Sequence, residues 1–230
     1  MGSLQRELKF VFPNDRAGVL RDWLGLRCAV DPAFPAGRIA GIYYDTADGR
    51  YLGEKVNSDY LKTKIRLRWY GDWATGKPFG RAYLEVKQRI GSTRQKARRV
   101  LEWSAEELDG AKGDDPRFAA VSGWVAEMGF RAPPDLAPMI SLEYRRSRYV
   151  EPETGTRICL DQDIAPIWIL GKGSTQRTPI AEGVFEVKGT VGRLPVSLLP
   201  MVEMGCRLQS FSKYERCMVR AMSGEATGET

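Results

Sequence analysis

Histidine is absent from the 230-residue chain. The commonest general base and the commonest transition-metal ligand are therefore missing, which excludes a Ser-His-Asp triad, a Cys-His pair and a His-based zinc site. Cysteine is scarce: Cys28, Cys159, Cys206 and Cys217 form no C-x-x-C pair and are too scattered for a disulfide framework. No apolar run approaches the ~20 residues that span a bilayer. The opening Met1-Gly2-Ser3-Leu4-Gln5-Arg6-Glu7 lacks the apolar core of a secretory signal. These absences lead to the expectation of a reduced, cytoplasmic protein. Any metal it uses must be held by carboxylates, which favours Mg²⁺ or Mn²⁺.

What the chain has is cation. Lys and Arg number 35 against 29 Asp and Glu, a net charge of +6, which implies a taste for anions without saying which kind. Many of these cations sit in alternating runs: Lys64-Ile65-Arg66-Leu67-Arg68-Trp69, Leu84-Glu85-Val86-Lys87-Gln88-Arg89, and Phe185-Glu186-Val187-Lys188. Side chains alternate across a strand, so each run places charge on one face and apolar residues on the other. A solvated outer face reads the same way. The pattern recurs at Lys96/Arg98 and Arg146/Arg148, and that repetition argues for one surface that collects cations around a highly charged anion.

Hydrophobic content of 43% in a chain of this length suffices to bury a real core in one domain. Strands are expected at Leu4 to Phe12, Arg38 to Asp45, Asp59 to Tyr70, Arg81 to Ile90 and Lys96 to Trp103, the third and fourth forming a hairpin. Further strands are expected at Met139 to Val150, Arg157 to Ile164 and Gly183 to Thr190. Helical spacing points to Arg16 to Arg27, capped by Asn14 or Asp15, and to Pro116 to Met128. Ser104-Ala105-Glu106-Glu107 resembles a capping box. Helix candidates also lie near Pro195 to Met204 and from Ser212 to Met222. The expected fold is α+β: a closed antiparallel β-barrel of about eight strands, its interior polar and lined by Lys and Arg, with helices packed outside. Residues 1–222 would form a single domain and 223–230 a frayed tail.

Three Glu-x-Lys dyads, Glu7/Lys9, Glu85/Lys87 and Glu186/Lys188, each put both charges on one strand face. Such a pair on an open surface contributes little. Inside a barrel, Lys would hold a phosphate oxygen while Glu takes a divalent cation bridging the same phosphates.

Glu7-Leu8-Lys9-Phe10, Tyr43-Tyr44-Asp45-Thr46, Lys64-Ile65-Arg66-Leu67-Arg68, Leu84-Glu85-Val86-Lys87, Tyr144-Arg145-Arg146-Ser147-Arg148-Tyr149, Phe185-Glu186-Val187-Lys188 and Phe211-Ser212-Lys213-Tyr214 occur in the order of a known family. From about Arg6 to Arg220 the chain resembles the VTC-type polyphosphate polymerase domain, a member of the triphosphate tunnel metalloenzymes (CYTH-like superfamily). The resemblance implies transfer of the ATP γ-phosphate to a growing inorganic polyphosphate chain, with ADP released and Mn²⁺ or Mg²⁺ required. It implies that Lys9, Arg66, Arg68, Lys87, Arg146, Lys188 and Lys213 hold the reacting phosphates. Lys64, Lys96, Arg98, Tyr144, Arg148 and Ser212 would add phosphate contacts. Glu186 would be the principal metal ligand, with Glu85 or Glu7 in support. Hydrolytic relatives often open with Glu-x-Glu-x-Lys, whereas this chain has Gln5 at the first position.

ATP and inorganic polyphosphate are thus the expected partners, with a membrane-protein partner encoded elsewhere left open, together with a peripheral place at the inner face of a membrane. A triphosphatase, polyphosphatase or nucleoside triphosphatase in the same tunnel is the first alternative, and a non-catalytic polyanion-binding module the second. Nucleic acid is disfavoured, because Trp69, Tyr70 and Trp73, which RNA stacking would use, are equally explained by packing.

Overall fold

The computed structural model of the chain describes residues 6–170, 173–174, 177–189 and 194–223. The strands are β1 (Arg6–Pro13), β2 (Ala29–Val30), β3 (Ala36–Asp45), β4 (Leu61–Gly71), β5 (Pro78–Ile90), β6 (Thr93–Ser104), β7 (Ala137–Val150), β8 (Arg157–Ile169), β9 (Gly173–Ser174), β10 (Glu182–Gly189) and β11 (Arg207–Leu208). The α-helices are α1 (Ala17–Arg27), α2 (Arg50–Val56), α3 (Ala105–Asp109), α4 (Ala120–Glu127) and α5 (Lys213–Ser223). No helix among the described residues is long and apolar enough to cross a membrane. Leu4, Gln5, Thr190 and the tail beyond Ser223, on which parts of the expected strands and the frayed end fall, lie outside the described residues.

The strands pair antiparallel in one sheet, in the order β11-β1-β10-β8-β7-β3-β4-β5-β6, with β2 added to β7 and β9 to β8. Eight of them are eight residues or longer, which matches the expected number of main strands. The expected closed barrel is corrected. Among the described residues no ladder joins β6 to β1 or β11, so the sheet has two ends. Residues of β6 and of β1 nevertheless line one common cavity, so the sheet curls into a trough with an open seam.

Alternation decides the two faces. Outward, Ile65, Leu67 and Trp69 of β4 and Leu84 and Val86 of β5 bury themselves against Leu108 of α3 and Phe118, Val121 and Val125 near and within α4. Phe10 and Phe12 of β1, Leu160 of β8 and Phe185 of β10 pack on Leu20 and Leu24 of α1. A fully buried side chain of this size contributes about 1.5–3 kcal/mol, so these outer cores fix which way every charged neighbour faces. One helix departs from the expected outside position. α5 lies against the inner face, where Tyr214 and Cys217 cover Tyr43, Ile140, Leu142 and Val184. At that end the inward residues are apolar and need a cover.

Local chemistry accounts for smaller differences. The Ser104 capping box is present and starts α3. Asn14 does not cap α1. It lies in a 3₁₀ turn, and its amide Nδ2 donates to Asp163 Oδ1 at 3.1 Å. The helix expected near Pro195 is instead a 3₁₀ stretch, Val196–Met201, with Pro200 inside it. β8 runs on past Pro166, which pairs with Leu142 of β7 beside a register shift in the ladder. Gly41 is required by close approach: a Cβ there would stand 2.6 Å from Leu67 O in β4. Gly41→Ala is expected to destabilise the fold by about 1–3 kcal/mol, read as a lower denaturation midpoint.

Candidate active site

The inner faces of β1, β4, β5, β6, β7 and β10, with the start of α5, enclose a cavity of about 690 Å³. Lys9, Lys64, Arg66, Arg68, Lys87, Lys96, Tyr144, Arg146, Lys188, Ser212 and Lys213 all line it, as do Glu7 and Glu186. Three expected residues fall outside the lining. Glu85 stands behind it, tied to the arginines of β4. Arg98 reaches Glu85 from β6, its Nε 3.6 Å from Oε1, and stacks on Tyr83 at 3.6 Å. Arg148 shares the inner face, near enough to Arg146 and Arg68 to feel their charge, but sends Nη1 to the Phe34 carbonyl at 3.1 Å and does not line the cavity.

Two carboxylate centres organise the cations. Glu85 accepts from Arg66 Nε at 2.8 Å and Nη2 at 2.6 Å, and lies 3.4 Å from Arg68 Nη1. Burial works against its charge, but the Arg66 and Arg68 guanidiniums outweigh it and hold the carboxyl down at about 2. Arg66 Nη1 also donates to Tyr43 OH at 3.0 Å, and Arg68 Nη2 reaches across to Tyr144 OH at 3.0 Å. The second centre is Glu186, with Lys188 at 3.1 Å, Arg146 at 3.5 Å, Lys213 at 3.7 Å and Lys9 at 3.8 Å. Its carboxyl also lies well below the usual range: burial opposes this, and Lys213 and Arg146 dominate.

The dyads are explained by register. Glu7 of β1 faces Lys188 of β10, and Lys9 faces Glu186, so the four charges alternate like a checkerboard. Lys9 Nζ is 3.5 Å from Glu7, which places both carboxylates beside the same ammonium.

Asp161 of β8 belongs to this site and was not singled out from the sequence. It is fully buried, accepts from Arg146 Nε at 2.5 Å and Nη2 at 2.6 Å, and holds Lys213 Nζ at 2.5 Å. Tyr43 and Asp45 stand among the ordered motifs but were given no role. Tyr43 stacks on Tyr214 at 5.7 Å, and Tyr214 OH donates to Asp45 Oδ2 at 2.8 Å. Asp45 also accepts from the backbone N–H groups of Tyr51 and Leu52, so it seats α2 and α5, while Tyr43 also lines the cavity. Ser212 precedes α5 and is 3.5 Å from the Glu215 amide, a weak cap that leaves its hydroxyl free to face the cavity.

The donors present are carboxylates, which suit a hard divalent cation. No three carboxylates or thiols among the described residues converge to enclose an ion. Mg²⁺ commonly takes one or two carboxylates plus substrate phosphates. Glu186 and Glu7 line the cavity and fit that pattern, whereas Glu85 stands behind the lining, held by two short hydrogen bonds from Arg66.

No curated protein sequence matches the chain. A solved structure of a Hippeastrum protein, a candidate adenylyl cyclase described as having a dominant triphosphatase activity, is 16% identical, with TM-score 0.54 over 96% of each chain. A candidate adenylate cyclase from Bacillus halodurans is 14% identical, with TM-score 0.55 over 93% of this chain and 96% of that one. At such identity these likenesses speak for a shared fold alone. The model of the VTC domain matches residues 4–222, in keeping with the ordered motifs, and the chain therefore belongs to the VTC domain family.

Proposed function

We propose that the chain is a metal-dependent polyphosphate polymerase that transfers the ATP γ-phosphate to a growing inorganic polyphosphate chain and releases ADP. The observation that carries this is the cavity itself: cations from strands on both sides of the trough converge on one space, with their carboxylates set among them as counter-charges. Phosphoryl transfer is chiefly positioning and charge stabilisation, so such a site needs no covalent nucleophile and no histidine.

An oxygen of the terminal phosphate of the acceptor attacks Pγ while the bond from Pγ to the β,γ-bridging oxygen breaks and the electron pair leaves with ADP. Arg66, Arg68, Arg146 and Lys213 hold the phosphoryl oxygens in line, Lys9 and Lys188 neutralise the neighbouring phosphates, and the hydroxyls of Tyr144 and Ser212 donate hydrogen bonds. A divalent cation, when bound, would be held by Glu186 with Glu7 beside it and would draw charge off the phosphates. The acceptor oxygen is already anionic and needs no base. Water would need one, and Glu85, Glu186 and Asp161 are all held as weak bases by their cations. That favours a phosphate acceptor over hydrolysis.

Incubation with ATP and Mn²⁺ or Mg²⁺, followed by resolution of ADP, phosphate and long polyphosphate, tests the reading. Polymer with ADP is the expected result. Free phosphate without polymer would assign a hydrolase, and tight polyphosphate binding without turnover a binding module.

Binding should also weaken with rising pH. Burial lowers the Lys87 ammonium to about 8, with Arg66 adding to the effect. Burial would raise the Tyr144 phenol, but Arg68, Arg146 and Lys213 bring it to about 8. Between pH 7 and 9 Lys87 loses its charge and Tyr144 gains a negative one, so both changes disfavour a polyanion. Titration calorimetry across that range, in buffers of different ionisation enthalpy, is expected to show falling affinity and proton uptake on binding near pH 8.

A further inference from the structure

The cations of the trough divide into two sets. Lys9, Lys55, Arg66, Arg68, Arg146, Lys188 and Lys213 each have a carboxylate partner. Lys62, Lys64, Lys87, Arg89, Arg94 and Lys96 line the same cavity and form no ion pair among the described residues.

The second set is ordered. Lys64 faces Lys87 across the β4–β5 ladder, and Lys87 faces Lys96 across the β5–β6 ladder. One step nearer the strand ends, Lys62 faces Arg89 and Arg89 faces Arg94. These are two rungs of three cations each, lying across the strands. Neighbouring strands are ~4.8 Å apart and alternate residues ~6.7 Å apart along a strand, so the six charges form a compact grid. Like charges placed directly opposite destabilise a sheet, and here four such pairs lie side by side. Lys64 feels the strain: burial, then Lys9 and Arg66, push its ammonium well below the usual range. A grid of this kind is relieved by an anion long enough to cover it.

Both rungs lead to β6, whose outer edge has no strand partner among the described residues. Arg94 and Lys96 on that edge are exposed. Charged residues of this kind keep an edge strand from recruiting another strand. We infer that the two rungs, Lys64–Lys87–Lys96 and Lys62–Arg89–Arg94, are a track on which a long polyanion lies across the sheet and passes sideways over the β6 edge, so that the protein engages the interior of a polyphosphate chain without threading its end. This rests on the reading of the cavity as a polyphosphate site and adds the route of the chain.

The test compares long polyphosphate with free ends against the same chain carrying a streptavidin on each end, binding being read by calorimetry. Both chains are expected to bind the protein within about twofold of each other. A capped chain that binds at least about tenfold more weakly overturns the sideways route and leaves the polyphosphate site standing. Failure of the protein to bind either chain overturns the site itself, and the route with it. A double variant, Arg89→Glu with Arg94→Glu, changes two exposed side chains on which no core depends. It is expected to weaken binding of both chains at least about tenfold and to flatten the salt dependence. An unchanged affinity removes the outer rung from the track.

Discussion

Glu186→Gln is expected to lower ATP- and metal-dependent turnover by at least about a hundredfold while strengthening metal-free polyphosphate binding. The two effects have opposite signs because the carboxylate has two roles. Its charge lies within 4 Å of Lys9, Arg146, Lys188 and Lys213, where it competes with phosphate oxygens for the same cations. Gln removes that competitor, so a polyanion added without metal should bind more tightly. The amide is also a poor ligand for a hard cation, so turnover that depends on the metal should fall. Equilibrium binding in chelator and steady-state rates with Mn²⁺ separate the two. Turnover at the wild-type level would remove Glu186 from the site. A parallel loss of binding and rate would mean that the variant had disturbed the cation cluster as a whole.

How far the site could be read from sequence depended on where each partner lies. The runs on β4, β5 and β10 were legible because their charge alternates with a period of two, and the outer cores then left the cations one face to occupy. The alternation does not say which strands stand at the ends of a sheet, so the expected closure of the barrel had nothing in the residues to support or oppose it. α2 was missed because its N-cap, Gly49, contributes no side-chain bond. Asp45, at the end of β3, takes that place. α5 was legible as an amphipathic helix, but an apolar stripe does not reveal which side of a curled sheet it will cover. Asp161 was hidden for a similar reason. It follows Ile158-Cys159-Leu160 with no cation beside it, and its partners come from β7 and α5. A carboxylate on the inner register of a strand next to Arg146 is the signal that could have found it.

Asp161→Asn should produce the largest loss of stability of any single change in the site. The side chain is fully buried, and it is the nearest carboxylate to both cations, holding Arg146 through two short hydrogen bonds and Lys213 through a third contact. Removing one partner of a buried ion pair costs about 3–5 kcal/mol because the remaining charge is left uncompensated. Here two cations are left, with Glu186 only 3.5 Å and 3.7 Å away to share between them. A lower Tm is therefore expected, and added polyphosphate should restore more of it in the variant than in the wild type, since the anion supplies the missing charge. The pH dependence has a definite sign. Burial opposes ionisation of Asp161, but Arg146 and Lys213 hold its carboxyl below the ordinary carboxylate range. A depressed folded value means that its contribution is complete above the unfolded value near ~3.9 and is lost as pH falls below it. The Tm gap between wild type and Asp161→Asn should accordingly be full at neutral pH and shrink below about pH 4. Asp161→Glu keeps the charge but moves the carboxylate, so it should recover most of the Tm while the rate stays low, because Arg146 and Lys213 would no longer point at the same phosphate. Wild-type turnover in Asp161→Glu would confine Asp161 to stability, whereas a recovered Tm with a low rate makes it the residue that aims both cations.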